Sequence, residues 1–221
     1  MSSPVLRPAG AAAVMADFGD VFDDDVYAQV VALDQAIQAA PPAGLCETVP
    51  AYTSLLIVFN PILTDHETVS RHVLRLPATP KRRAAGSKLH EVPVCYDGDA
   101  APDLAAAALQ LKIAPDTLVK AHLEAEYRVY MYGFAPGYAY LGGVPERVHL
   151  PRKAAAVRGY PVGSVMVAGA QCLITTLPMP TGWWVIGRTP LRVLDPTADR
   201  PFLFDPGDRV RFTRVGAEAL A

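Results

Sequence analysis

Apolar residues recur along the first half of the chain with two different periods. Residues 5–15 form an apolar run of strand length, and the acidic DFGDVFDDD that follows reads as a turn in which Asp23 or Asp24 is placed to cap a helix. Over residues 26–39 the period lengthens to that of a helix: Val26, Val30, Leu33 and Ile37 share one face, while Gln29, Asp34, Gln35 and Gln38 lie elsewhere. PPAG breaks this helix. LCETVPAYTSLLIVFNP then holds two strand-like runs around Pro50, the second of which, residues 54–59, is apolar enough for a central strand. Asp65 is placed to cap a second helix over residues 67–76, which Pro77 stops. A polar, basic stretch at 78–88 leads to LHEVPVCY, another strand candidate. Strand, helix, strand, strand, helix, strand is the order of a ferredoxin-like α+β layer, with two helices over one face of an antiparallel sheet.

Two short helices are predicted next, over residues 103–111 and 115–125, the second opening on Pro115 at a first-turn position. From Tyr127 onward glycine or proline punctuates short strands every few residues, the pattern of a barrel or closed sandwich. The expected organisation is therefore a ferredoxin-like α+β domain over residues 1–90 and a β-barrel domain over 91–221, with the boundary between about 88 and 100.

Composition narrows the function. The chain has 221 residues, of which 51% are hydrophobic and 19% charged, ample for a buried core. Its 20 basic and 22 acidic residues form no long runs, so there is no electrostatic footprint for nucleic acid or anionic lipid. MSSPVLRPAG lacks the basic and apolar regions of a secretion signal, and no apolar run approaches the roughly 20 residues of a bilayer span; a soluble, cytoplasmic protein is expected. Cys46, Cys95 and Cys172 are far apart and read as small hydrophobes. The five histidines include no HxxxH or HxH pair, so no metal site is expected. With no Walker loop, nucleophile elbow or GxGxxG present, any nucleotide machinery is expected on another polypeptide.

Candidate chemistry concentrates in EYRVYMYGFAPGYAYLGG, PRKAAAVRGYPVGSV and TGWWVIGRTPLRVLDP. Gly133, Gly137, Gly142 and Gly143 permit positive φ or close backbone approach, while Phe134, Tyr138 and Tyr140 can form an aromatic wall or simply join a core. His122 stands near Glu124 and Glu126; it is either a neutral histidine bonded to a backbone carbonyl or an acid/base group with a carboxylate partner. Arg128, Arg152, Lys153 and Arg188 are isolated cations in apolar surroundings, suited either to an internal carboxylate or to a carboxylate or phosphate on a ligand. Arg188, in IGRTP, is the strongest of these. Thr189 and Gln171 offer neutral hydrogen bonds nearby, and Trp183 and Trp184 are expected to divide between core and pocket.

At these residues the sequence resembles the allophanate hydrolase subunit 1 family, which includes the B component of 5-oxoprolinase, the KipI histidine-kinase inhibitor and part of the carboxyltransferase region of urea carboxylase. The likeness runs from ADFGD and VPAYTSLLIVFNP through VPVCYDG and HLEAEYRVYMYGFAPGYAYLGG to PVGSV, GW and IGRTPLRVLDP. It implies a ferredoxin-like domain followed by a cyclophilin-like β-barrel, and a carboxyltransferase-like second subunit that shares the site. In the 5-oxoprolinase system a third subunit joins, and the assembly opens 5-oxoproline to glutamate with ATP supplied at the level of the complex; a carboxyltransferase variant would use biotin. His122, Glu126, Tyr140, Arg152, Gly163, Ser164, Gln171, Trp183, Arg188 and Thr189 match the family pattern. The resemblance thus implies His122, Glu126 and Arg188 as catalytic residues and Tyr138, Tyr140, Arg152, Gln171, Trp183 and Thr189 as substrate-binding residues. The expected activity is that of a non-autonomous subunit of an ATP-dependent amide or lactam hydrolase. The alternative is a KipI-like module that inhibits a sensor histidine kinase. Departures cluster where relatives read AGxQTGIYPxxSPGGW: here Cys172 and Leu173 replace Thr-Gly, Thr175 and Thr176 replace Tyr-Pro, and Val157 stands in place of a frequent arginine. The mouth of the barrel is expected to gather Tyr140, Arg152 and Arg188 into one cavity.

Overall fold

The computed structural model describes residues 4–21, 23–77 and 87–220; most of the basic stretch at 78–88 lies outside the described residues. The chain divides into two compact units, residues 1–87 and 88–221. The first contains β1 (Val5–Pro8), β2 (Ala13–Asp17), α1 (Asp24–Ala39), β3 (Leu45–Pro50), β4 (Ser54–Phe59) and α2 (His66–Val73). The apolar run at 5–15 is not one strand. It folds back as a β1–β2 hairpin, pairing Val5 with Asp17 and Pro8 with Val14, with Gly10 at φ +69° in the turn. The sheet order is β1-β2-β4-β3, antiparallel throughout. Leu55, Ile57 and Phe59 of β4 alternate onto the covered face, where they meet Val14, Ala16, the Val30, Leu33 and Ile37 stripe of α1, and Val69 and Val73 of α2. The helices start where a carboxylate satisfies an otherwise unpaired amide: Val26 N–H donates to Asp23 Oδ1 and Thr68 N–H to Asp65 Oδ1, each at 2.7 Å.

The strand expected to complete a ferredoxin-like layer lies elsewhere. Leu89–Val94 (β5) belongs to the second unit, and the sheet edge beside β2 is taken by β1. Helix–strand order alone left both placements open, because a strand's apolar period does not say which sheet it will join.

The second unit continues with α3 (Leu104–Leu111), α4 (Pro115–Glu124), β6 (Tyr127–Tyr132), β7 (Ala139–Gly142), β8 (Ser164–Ala168), β9 (Gln171–Ile174), β10 (Trp184–Arg188) and β11 (Arg209–Arg214). Its sheet runs β10-β8-β9-β7-β6-β11-β5, with only β11 and β5 parallel among the described pairs. The two edge strands meet through one bridge: Cys95 N–H donates to Arg188 O at 2.8 Å and Arg188 N–H to Cys95 O at 2.9 Å. The result is a nearly closed barrel. Closure requires Gly187, since a Cβ there would lie 2.6 Å from Val94 Cγ1 and 3.0 Å from Cys95 O. Alternation sends Val165, Val167, Cys172, Ile174, Ile186 and Val210 into a core shared with Ala107, Leu118 and Val119 of the helices. Met166, Leu173 and Val185 face the other way and build a smaller cluster with Tyr138, Tyr160 and Trp183 on the outside of the β7-β9-β8-β10 wall. Among the described residues no helix is long and apolar enough to cross a membrane.

Candidate functional site

A pocket of about 480 Å³, part of it open to solvent, opens over that outer cluster. Its floor and sides are Tyr138, Tyr140, Met166, Leu173, Met179 and Trp183; Phe134, Arg152 and the Pro180–Thr181–Gly182 backbone form the remainder. Strand parity explains the composition. Met166 and Leu173 are cross-strand partners on β8 and β9, and both point away from the barrel interior.

The turn between β6 and β7 carries the aromatic wall. Gly133 N–H donates to Tyr138 O at 3.2 Å and Tyr138 N–H to Ala135 O at 3.1 Å, while Gly137 (φ +72°) and Phe134 (φ +70°) both take left-handed backbone. For phenylalanine this conformation costs on the order of 1–2 kcal/mol, and its ring remains 75% exposed at the pocket rim. Thr176 Oγ1 donates to Pro136 O at 2.6 Å and latches the turn to the strand wall. Of the residues departing from the family pattern, Leu173 thus lines the pocket, Thr176 holds its turn, and Cys172 is turned into the barrel core.

Electrostatically the pocket has one cation. The Arg152 guanidinium lies 5.8 Å from the Trp183 ring centroid, and Trp183 meets Tyr140 edge-on at 6.0 Å. Among the described residues Arg152 has no carboxylate within ion-pair distance. Burial raises the pKa values of Tyr138 and Tyr140, with Arg152 offsetting part of the effect at Tyr140, so both phenols are neutral donors at ordinary pH. Tyr138 spends its proton on Leu177 O, at 3.3 Å.

The pocket therefore collects Tyr138, Tyr140, Arg152 and Trp183 from the expected set, and leaves the other five outside its lining. His122 is 1% exposed inside the barrel core, stacked on Phe212 at 4.4 Å. Its Nδ1 shares a 2.8 Å hydrogen bond with the Tyr96 hydroxyl, and its Nε2 lies 3.7 Å from Cys172 Sγ. Burial pushes its pKa down to about 3, so it is a neutral core histidine and not a proton shuttle at the pocket. Glu126 is held by Arg209 (3.1 Å) and Arg211 (2.9 Å); burial pushes its pKa up, but these two guanidiniums prevail and keep it below the usual carboxylate range. Arg188 spends its backbone on barrel closure, and its Nε is buried without a hydrogen-bond partner among the described residues. It does not join Tyr140 and Arg152. Thr189 is buried, its N–H donating to Gly163 O and its Oγ1 accepting from Leu191 N–H. Gln171 shares the parity of Leu173 on β9 but lies beyond the pocket.

One cluster was not legible beforehand. Asp103, at the start of α3, accepts hydrogen bonds from Lys153, Tyr160 and the Val185 amide. Lys153 stood out as an embedded cation, yet nothing local links it to a carboxylate fifty residues away. Among the described residues no group of three His, Cys, Asp or Glu side chains could hold a metal ion.

The family described as carboxyltransferase domain, subdomain C and D, matches residues 4–204. The chain belongs to this carboxyltransferase-domain family. Its relatives include the 5-oxoprolinase subunit designated B in Bacillus subtilis (strain 168), 35% identical over 221 residues that cover 95% of this chain and 92% of that one. The corresponding 5-oxoprolinase component of Escherichia coli O157:H7 is 43% identical over 126 residues, 57% of this chain and 58% of that one. Among solved structures, TTHA0988 superposes with a TM-score of 0.83 at 34% identity. The match covers 94% of this chain and 40% of that longer one. Kluyveromyces lactis urea amidolyase shares the fold, with a TM-score of 0.79 at 19% identity over 99% of this chain and 15% of that one.

Proposed function

We propose that this chain is the substrate-holding subunit of a heteromeric complex that opens the lactam of 5-oxoproline to glutamate with ATP, its site shared with a carboxyltransferase-like partner subunit. The supporting observation is Arg152, which has no carboxylate partner among the described residues, at the mouth of an aromatic pocket, in a chain similar to proteins named as the B component of 5-oxoprolinase. A small cyclic amide bearing a carboxylate suits this arrangement. Its ring would lie against Tyr140 and Trp183, its carboxylate would accept from the Arg152 guanidinium, and the neutral Tyr140 hydroxyl is available to donate to the lactam oxygen.

Ring opening adds water at the lactam carbonyl carbon, breaks the C–N bond and places a proton on nitrogen. Among the described residues, the lining contains no carboxylate or histidine to manage those protons. This chain binds and orients, and the group that activates the lactam belongs to another subunit. ATP does not fit the pocket as a resident ligand, because a magnesium–triphosphate needs carboxylates and several cationic or amide donors where this lining has one guanidinium. Nothing in the lining is specific to biotin, and no step is assigned to it.

The test compares two lactams in the assembled complex: 5-oxoproline and 2-pyrrolidinone, which lacks the carboxylate. Arg152→Ala is expected to raise KM for the first and leave turnover of the second unchanged; equal effects on both would overturn the carboxylate-holding role.

The exposed Phe134 at the pocket rim, with the exposed Val157 bridged to the lining residue Thr181, favours a second reading, a KipI-like module that docks on a sensor histidine kinase and arrests phosphoryl transfer. Copurification of such a kinase in place of a carboxyltransferase-like subunit would favour it.

A further inference from the structure

A partly buried charged network adjoins Arg152. Lys153 Nζ lies 2.5 Å from Asp103 Oδ2 and 2.6 Å from the Tyr160 hydroxyl. That hydroxyl donates to Asp103 Oδ2 at 2.9 Å, and Val185 N–H donates to the same oxygen at 2.8 Å. Asp103 N–H returns a bond to Val185 O at 3.0 Å. The Lys153 and Asp103 side chains are 12% and 16% exposed, and none of the three residues lines the pocket. A partly buried ion pair contributes little net stability, because desolvation offsets much of its attraction. Its value lies in geometry.

That geometry bears on Arg152. On one side of it the Pro151 carbonyl accepts from Trp184 Nε1 at 2.6 Å; on the other, Lys153 N–H donates to Gly182 O at 2.7 Å. Arg152 is thus an exposed side chain on a backbone pinned before and after it. Both pins attach to the segment that supplies Trp183, the ring beside which its guanidinium rests. The Lys153 ammonium also sits 4.8 Å and 5.6 Å from the Tyr160 and Trp184 ring centroids, which limits its own freedom.

We infer that Asp103, Lys153 and Tyr160 form a positioning cluster that fixes Arg152 against the Trp183 face and thereby tightens the pocket's hold on a small carboxylate. The inference rests on the pocket reading proposed above. Pre-ordering the backbone removes part of the entropy a ligand would otherwise have to offset. The three residues touch no reacting atom and act through Arg152.

Steady-state kinetics of the assembled complex with 5-oxoproline test this using Arg152→Gln, Lys153→Met, Lys153→Arg and Asp103→Asn. Arg152→Gln is expected to raise KM by roughly 10- to 100-fold. Lys153→Met and Asp103→Asn should each raise it by about tenfold with kcat within about twofold, since a small displacement of a binding group acts on affinity. Lys153→Arg keeps the charge opposite Asp103 and should recover most of the loss. Simple destabilisation would lower the active fraction, and so kcat, without moving KM. Asp103→Asn retains an acceptor for the Val185 amide and serves if Lys153→Met does not fold. Should Arg152→Gln raise KM while Lys153→Met and Asp103→Asn leave it unchanged, the positioning role is overturned and the pocket reading stands. An unchanged KM in Arg152→Gln, or a complex that does not turn over 5-oxoproline, removes the pocket reading itself.

Discussion

The Arg152 guanidinium and the Trp183 indole, from different segments of the second unit, lie 5.8 Å apart at the mouth of one pocket. The backbone beside the arginine reaches the backbone beside the tryptophan through the 2.7 Å bond from Lys153 N–H to Gly182 O. The carboxylate-holding role proposed for Arg152 rests on this geometry: a cation on an aromatic face, with its backbone tethered to that aromatic's own loop.

Because Arg152 is exposed, its pull on an anion is screened by salt. Raising ionic strength from about 0.1 M to about 1 M shortens the screening length from roughly 10 Å to roughly 3 Å. KM for 5-oxoproline should rise across that range in the native complex and stay flat in Arg152→Ala. A salt response that survives the substitution would place the anion-holding cation elsewhere.

Burial holds His122 neutral, with its pKa pushed down to about 3, whereas in the unfolded chain it is about 6.5. Between those values only the unfolded state takes up the proton. The stability associated with this neutral histidine is therefore complete above about pH 6.5 and declines by up to roughly 1.4 kcal/mol per unit as the pH falls toward 3. Urea unfolding at several pH values should show a flatter acid limb in His122→Gln than in the native chain. Parallel acid limbs would mean that other groups carry the dependence.

Gly163 takes φ +84°, and a Cβ there would lie 2.5 Å from the Thr189 carbonyl oxygen. Gly159 has a similar φ of +91° with nothing within 4 Å. Gly159→Ala therefore isolates backbone strain, on the order of 1–2 kcal/mol, and Gly163→Ala adds a steric clash to it. Thermal unfolding should show a distinctly larger drop for Gly163→Ala; equal drops would refute the close approach to Thr189.

Phe134 gives up favourable backbone geometry and leaves its ring largely in water. Phe134→Gly should accordingly stabilise the fold by about 0.5–1 kcal/mol, the relieved strain of about 1–2 kcal/mol less the roughly 0.5–1 kcal/mol of entropy that glycine adds to the unfolded chain. If the ring serves the pocket or a partner, the same variant loses substrate affinity or subunit retention. Stability up with function down is the expected pair, read by chemical denaturation alongside kinetics and copurification.

Much of the local structure was legible because its causes are local. The apolar period of Val30, Leu33 and Ile37, the capping carboxylates Asp23 and Asp65, and the run from Ser54 to Phe59 act within a few residues of where they stand. Residues 5–15 read as a single strand because Gly10, which turns the hairpin, sits between alanines in a largely apolar run. The aromatic wall was legible in part: clustered glycines mark a turn, but the parity that puts Met166 and Leu173 beneath it depends on strand register.

The chain alone determined where its capped helices begin and which family it resembles, since these follow from short-range period, capping and motif. Only the tertiary structure decided that β5 closes a barrel through Cys95 and Arg188, that His122 is sealed inside it, and that Asp103 holds Lys153 behind Arg152. Each of these is a pairing between residues far apart in sequence. Its free energy comes from mutual burial and geometry, which neither partner's neighbours along the chain encode.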